Sequence, residues 1–149
     1  IRRQRQMCIR DSDWGIPSED LVNSVQTSVD PVQNQGVGDG IAPIGHVVTV
    51  EGVVGTTVNV SFALTFATSY TWESVETEVQ KAIQEYFAEL AKEWADQEIL
   101  IVRVSQIETK VLAVDGIIDV TGTTINGTTQ NISLASNAIP VLGVVENVT

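Results

Sequence analysis

The chain has 149 residues, with eight Lys and Arg against nineteen Asp and Glu, one His, one Cys and 43% hydrophobic content. That length suits one ordinary hydrophobic core plus a fragment of a second unit. So acidic a chain repels a phosphate backbone and disfavours nucleic acid as a partner, a single cysteine gives no disulfide framework or cysteine metal site, and no apolar run approaches the ~20 residues of a bilayer span.

Residues 1–12 differ in character from the rest of the chain. Arg2-Arg3-Gln4-Arg5-Gln6-Met7-Cys8-Ile9-Arg10-Asp11-Ser12 carries four arginines, yet it lacks the apolar stretch and cleavage-like site of a targeting peptide. It resembles the in-frame translation of a transposase adapter used in sequencing libraries. The resemblance implies that the native sequence starts near Asp13, and it predicts that Arg2 to Ser12 makes almost no buried long-range contacts. Without this segment, Lys81, Lys92, Arg103 and Lys110 face eighteen acids, a net charge of −14.

The first predicted helix opens at Pro17-Ser18. Ser18 is a good N-cap, Glu19 and Asp20 suit the positive helix end, and Leu21, Val22, Val25 and Val29 recur at helical spacing. Asp30-Pro31 ends it, and residues 13–35 read as the helical end of a preceding domain. Residues 36–45 come next as a hinge: Gly36, Gly38 and Gly40 loosen the backbone and Pro43 fixes φ before the chain enters a sheet. These glycines do not form a phosphate loop, since no strand precedes them and no Gly-Lys-Ser/Thr comes after them.

Residues 46–149 then read as one α+β domain. His46 to Val53 is a mostly β-branched strand, and after Gly55 a second strand alternates cleanly. Val58, Val60, Phe62, Leu64 and Phe66 take one face; Thr57, Asn59, Ser61, Ala63 and Thr65 take the other. Thr71 is the expected cap of a long helix from Trp72 to about Asp96. Its apolar stripe is Val75, Val79, Ala82, Ile83, Tyr86, Leu90 and Trp94, and Glu78, Lys81, Glu85, Glu89, Lys92 and Glu93 lie opposite. A short apolar run, 99–104, leads to Ser105-Gln106-Ile107-Glu108, which has capping-box spacing, and to a second helix ending at Asp115-Gly116. Ile117 to Val120 reads as a returning strand, Asn126-Gly127 as the strongest hairpin signal, and 131–134 and 139–142 as extended pieces. Pro140 cannot donate to a ladder, which predicts an edge or a strand start. The order β-β-α-(β)-α-β-β, with one helix before it, predicts a two-layer α+β sandwich on a mixed or antiparallel sheet.

Several stretches resemble, in order, the C-terminal portion of the baseplate J-like protein family of contractile phage tails. They are Ile41-Ala42-Pro43-Ile44-Gly45-His46 with its strand, Tyr70-Thr71-Trp72, Ile83 to Leu90, Val104-Ser105-Gln106-Ile107-Glu108, Gly116-Ile117-Ile118-Asp119-Val120, Thr124-Ile125-Asn126-Gly127 and Ala138-Ile139-Pro140-Val141-Leu142-Gly143. The match spans nearly all of 13–143. The resemblance implies a structural protein of the virion tail baseplate, assembled in the bacterial cytoplasm. It further implies work in wedge assembly around the central hub, with other wedge and hub proteins and copies of itself as partners. It carries no catalytic residue, cofactor or small-molecule substrate.

The residues alone agree in offering no constellation for catalysis. His46 is the only histidine, and a lone His entering a strand reads as a hydrogen-bonded structural residue. Glu85, Glu89 and Glu93 repeat every four residues on the polar helix face, which is the pattern of a solvated surface. Asp115 and Asp119 offer oxygen to calcium without the Asp-x-Asp-x-Asp-Gly loop. Catalytic, cofactor and metal residues are therefore none. The alternative function is a ligand- or receptor-binding module, whose signature is a concave site lined by exposed aromatics; flat apolar surface and open sheet edges would instead favour assembly.

Overall fold

The computed structural model describes residues 3–148, and the chain divides between Val54 and Gly55 into two compact units. The first contains β1 (Arg3–Ile9), α1 (Glu19–Val29), a 3-10 turn (Val32–Asn34) and β2 (His46–Gly52). Ser18 caps α1 as expected, its hydroxyl accepting from the Leu21 N–H at 3.2 Å. Val22, Val25 and Val29 then pack on a small core of Ala42, Val48 and Val50.

Residues 36–45 fold inside this unit. Gly36, Gly38 and Gly45 all take positive φ, and the loop turns back on the end of α1 through Ile41 N–H to Ser28 C=O and Ala42 N–H to Val29 C=O. Gly40 permits that approach, since a Cβ there would sit 2.4 Å from the Val29 carbonyl oxygen.

The expectation that Arg2 to Ser12 makes almost no buried long-range contacts fails over Arg3–Ile9; Arg2 lies outside the described residues. Arg3–Ile9 pairs with β2 in parallel, and Met7 and Ile9 pack on the same core. The physical reason is that a strand edge bonds through its main chain, which asks little of the partner's sequence. In this segment only Met7 and Ile9 contribute apolar surface on the inward face.

The second unit contains β3 (Val54–Phe66), α2 (Trp72–Glu93), β4 (Ile101–Val102), α3 (Val104–Leu112), β5 (Ile117–Ile125), β6 (Ile132–Ser133) and β7 (Ala138–Asn147). The fold class is α+β. β3 lies between β5 and β7, while β4 and β6 form a separate short pair. β3 and β5 are antiparallel, with Val60 opposite Ile125 and Leu64 opposite Val120. Bonds from Val144 N–H to Asn59 Oδ1 and from Val148 N–H to Phe62 C=O climb together along the chain, the parallel sense, so the sheet is mixed.

The register of β3 is the expected one. Val58, Val60, Phe62 and Leu64 are buried, Phe66 is half-buried, and Asn59 and Thr65 are exposed. From α2, Val75, Val79, Ile83, Tyr86 and Leu90 are buried, together with Phe87 and Ala91, which the expected stripe omitted. The stripe is wider than a strict 3–4 spacing because β7 and α3 both pack on this helix. Tyr86 also ties the helix to the β4–α3 junction, its hydroxyl accepting from the Arg103 N–H at 3.0 Å, and burial pushes its phenol above the ordinary tyrosine range.

Three local expectations are corrected. The long helix ends at Glu93 rather than near Asp96, with its C-cap residue Trp94 donating from the indole to the Ser136 carbonyl at 3.0 Å. α3 starts at Val104, so Ser105 lies inside it and no capping box forms; the Val104 N–H is taken by Asn131 Oδ1 at 3.0 Å instead. Asn126 and Gly127 do make a tight turn with positive φ, but only Ile125 and Thr128 bridge across it before β6 leaves to pair with β4. Pro140 is the third residue of β7, an edge strand, in line with the expected edge or strand start, and its side chain is buried.

Thr123 on β5 is 4% exposed, and its hydroxyl has no hydrogen-bond partner among the described residues. Thr123→Val keeps the shape and removes an unpaired polar group. We expect it to raise stability by about 1 kcal/mol, read as a higher urea midpoint; a lower midpoint would contradict the unpaired hydroxyl.

Candidate assembly surfaces

The residues that form the helix-covered side of the second unit leave the opposite side of its sheet open. On β3 the period of two turns Asn59, Ser61, Ala63 and Thr65 outward, and β5 adds Thr124 opposite Ser61, the two hydroxyls 2.7 Å apart. β7 adds Val144, which is 56% exposed, and Glu146; both border the same shallow groove of about 320 Å³ as Asn59, Ser61 and Thr124. Small and β-branched side chains make this face flat.

Asparagines tie the ends of the sheet together. Asn126 Oδ1 accepts from the Asn59 N–H at 2.8 Å, Asn59 Oδ1 accepts from the Val144 N–H at 2.8 Å, and Asn147 Oδ1 accepts from the Leu64 N–H at 3.0 Å. Gly143 is needed for this approach, because a Cβ there would meet Asn59 Oδ1 at 2.1 Å. The outer face is thus held rigidly. Where β5 slips register between Thr65 and Phe66, Ile118 is left out of the pairing and is 62% exposed. β5 and β7 each keep one edge without a strand partner among the described residues.

The residues considered for chemistry are scattered. Glu89 pairs with Lys110 Nζ at 3.0 Å on the helix surface, and Glu85 and Glu93 are not buried. Asp119 Oδ1 accepts from its neighbour Val120 N–H, while Asp115 borders a groove beside α2. No group of three His, Cys, Asp or Glu able to hold a metal exists among the described residues. His46 opens β2, but the hydrogen bond expected of it is missing at one ring nitrogen: Nδ1 is buried without a partner among the described residues.

The groove beside α2 encloses about 610 Å³ and is bordered by Tyr70, Glu78, Lys81, Glu85, Lys110 and Asp115. Tyr70 is its one aromatic residue, and that ring lies against the backbone of Gly116, where a Cβ would meet it at 2.1 Å. This is an open charged groove, unlike the aromatic-lined cleft of a ligand-binding module.

The alternation of β3 made its share of the outer face readable from sequence. The share of β7 is hidden behind the proline signal at 139–142, although Val144 and Glu146 flank the buried Val145 with the same period of two. Residues 58–148 match the baseplate J-like protein C-terminal domain. The chain belongs to the baseplate J-like family. It is similar to Phage-like element PBSX protein XkdT of Bacillus subtilis (strain 168), 33% identical over 126 residues, and to Uncharacterized protein YqbT of the same organism, 32% identical over 126 residues. Both comparisons cover 85% of this chain and 34% of the relative, so the chain spans about a third of the length of these curated relatives. The matched baseplate J-like region includes the whole outer sheet face from Asn59 to Glu146.

Proposed function

We propose that this chain contributes to a contractile-tail baseplate as a structural protein, joining wedge assembly around the central hub through protein–protein contacts. The observation that carries the reading is the flat outer sheet face, rigid, helix-free and bordered by exposed Val144 and Ile118. Such a surface suits docking against another flat surface rather than enclosing a small molecule. The family supports the setting, and the name of one relative, a protein of a phage-like element, agrees with it.

In this role the domain acts without catalysis, as part of the virion tail, with other wedge and hub proteins and further copies of itself as partners. The alternative, a ligand- or receptor-binding module, would need a concave aromatic site, and the groove beside α2 is bordered instead by charged side chains around Tyr70. Co-expression of a full-length version with its neighbouring tail proteins tests the proposal. Size-exclusion chromatography and electron microscopy should show it inside a larger complex. A monomer that binds none of its neighbours would contradict the role.

A further inference from the structure

The first unit contains a strand with two very different edges. On one edge of β2 the partners are side chains: Gln26 Oε1 accepts from the Val50 N–H at 2.8 Å, Gln26 Nε2 donates to the Val48 C=O at 2.9 Å, and Asp30 Oδ2 accepts from the Val48 N–H at 2.9 Å. Both residues are buried, and together they replace a neighbouring strand. The other edge is filled by β1. Arg3 N–H donates to Gly45 C=O and Val53 N–H to Ile9 C=O, each at 2.8 Å, and between these ends the period of two directs the main-chain groups of Val47, Thr49 and Glu51 toward β1.

We propose that this second edge of β2 is a strand-docking site whose occupant in the full-length protein is an extended segment of that protein lying outside this chain. The segment would run parallel to β2 and carry apolar side chains opposite Val50 and Gly52. Arg3–Ile9 occupies the seat here, with Met7 and Ile9 at those two positions. Recognition of this kind takes its affinity from main-chain bonds and its selectivity from alternate side chains.

Three observations support a substitute occupant. Arg3, Gln4, Arg5 and Gln6 are exposed, so more than half of β1 adds no buried side chain to the unit, and Gln6 reaches β2 at the surface by donating to Glu51 Oε2 at 2.6 Å. A groove of about 450 Å³ remains beside Met7, bordered by Val29, Ile41, Ala42 and His46. The relatives are about three times as long as the region they share with this chain, which leaves ample sequence to supply the strand. The inference does not depend on the assembly role.

Amide hydrogen exchange on a full-length version tests it, because β2 contains its own control. The Val48 and Val50 amides, held by Asp30 and Gln26, report whether the unit is folded. Val47, Thr49 and Glu51 should exchange about 100-fold more slowly than an open edge, independent of protein concentration. Fast exchange at these three with Val48 and Val50 protected would overturn the proposal. Protection that appears only as the protein dimerises would also overturn it, by assigning the seat to a second copy. In the 149-residue chain, Met7→Asp with Ile9→Asp should free Val47, Thr49 and Glu51 while Val48 and Val50 stay slow. Loss of protection at all five would make β1 integral to the unit and sink the docking reading.

Discussion

Phe62→Ala should lower the stability of the second unit by about 3–5 kcal/mol. The ring is 1% exposed and meets Trp72 edge-on with centroids 6.2 Å apart, at the middle of the buried row from Val58 to Leu64. Removing it leaves a cavity that β3 cannot close, because β5 and β7 hold that strand on both sides. Phe66, half-buried at the strand end, should cost less than Phe62 when truncated. Urea unfolding of both variants decides the point. A loss below about 1 kcal/mol for Phe62→Ala would contradict its place in the core.

Asp30→Ala should be nearly as damaging, through a different mechanism. The carboxylate is 1% exposed and accepts from two main-chain donors, Gly36 N–H and Val48 N–H, each at 2.9 Å. Truncation leaves both donors buried and unpaired, at about 1–3 kcal/mol apiece, so a loss of about 3 kcal/mol or more is expected for the first unit. Asp30→Asn should recover part of it, because the amide still offers one acceptor. Faster amide exchange at Gly36 and Val48 gives a direct readout. If both amides remain protected in Asp30→Ala, the carboxylate is not what holds the loop to β2.

The contrast between these two residues shows which features are legible in sequence. Phe62 sits in a strand that alternates for ten residues, and one buried face forces that period into the chain. The long helix is readable for the same reason, as is the α+β class. Asp30 and Gln26 are polar residues at a helix end, where solvent exposure is the ordinary expectation. Their burial depends on where β2 passes, which no local pattern encodes. The start of α3 is similar: Ser105 has the right spacing for a cap, but Asn131, 27 residues away from Val104, supplies the bond one position earlier. The pairing of β4 with β6 rests on two residues from each strand, too few for a periodic signal.

The outer face is half legible. Ala63 and its neighbours on β3 emerge from alternation, whereas Val144 and Glu146 join them only through the parallel placement of β7 beside β3. This face offers mostly small and β-branched side chains. Its side chains are small enough that a single long cation would prevent close approach of a partner. Ala63→Arg with Val144→Arg alters the face without touching the buried row, and Gln84→Arg on the exposed side of α2 provides a matched control.

The decisive measurement is incorporation of these full-length variants into the complex formed with neighbouring tail proteins, scored by electron microscopy after their urea midpoints are found unchanged. The account predicts that Gln84→Arg assembles like the unaltered protein while Ala63→Arg with Val144→Arg is left out. Normal assembly of the double variant would contradict docking through the outer sheet face.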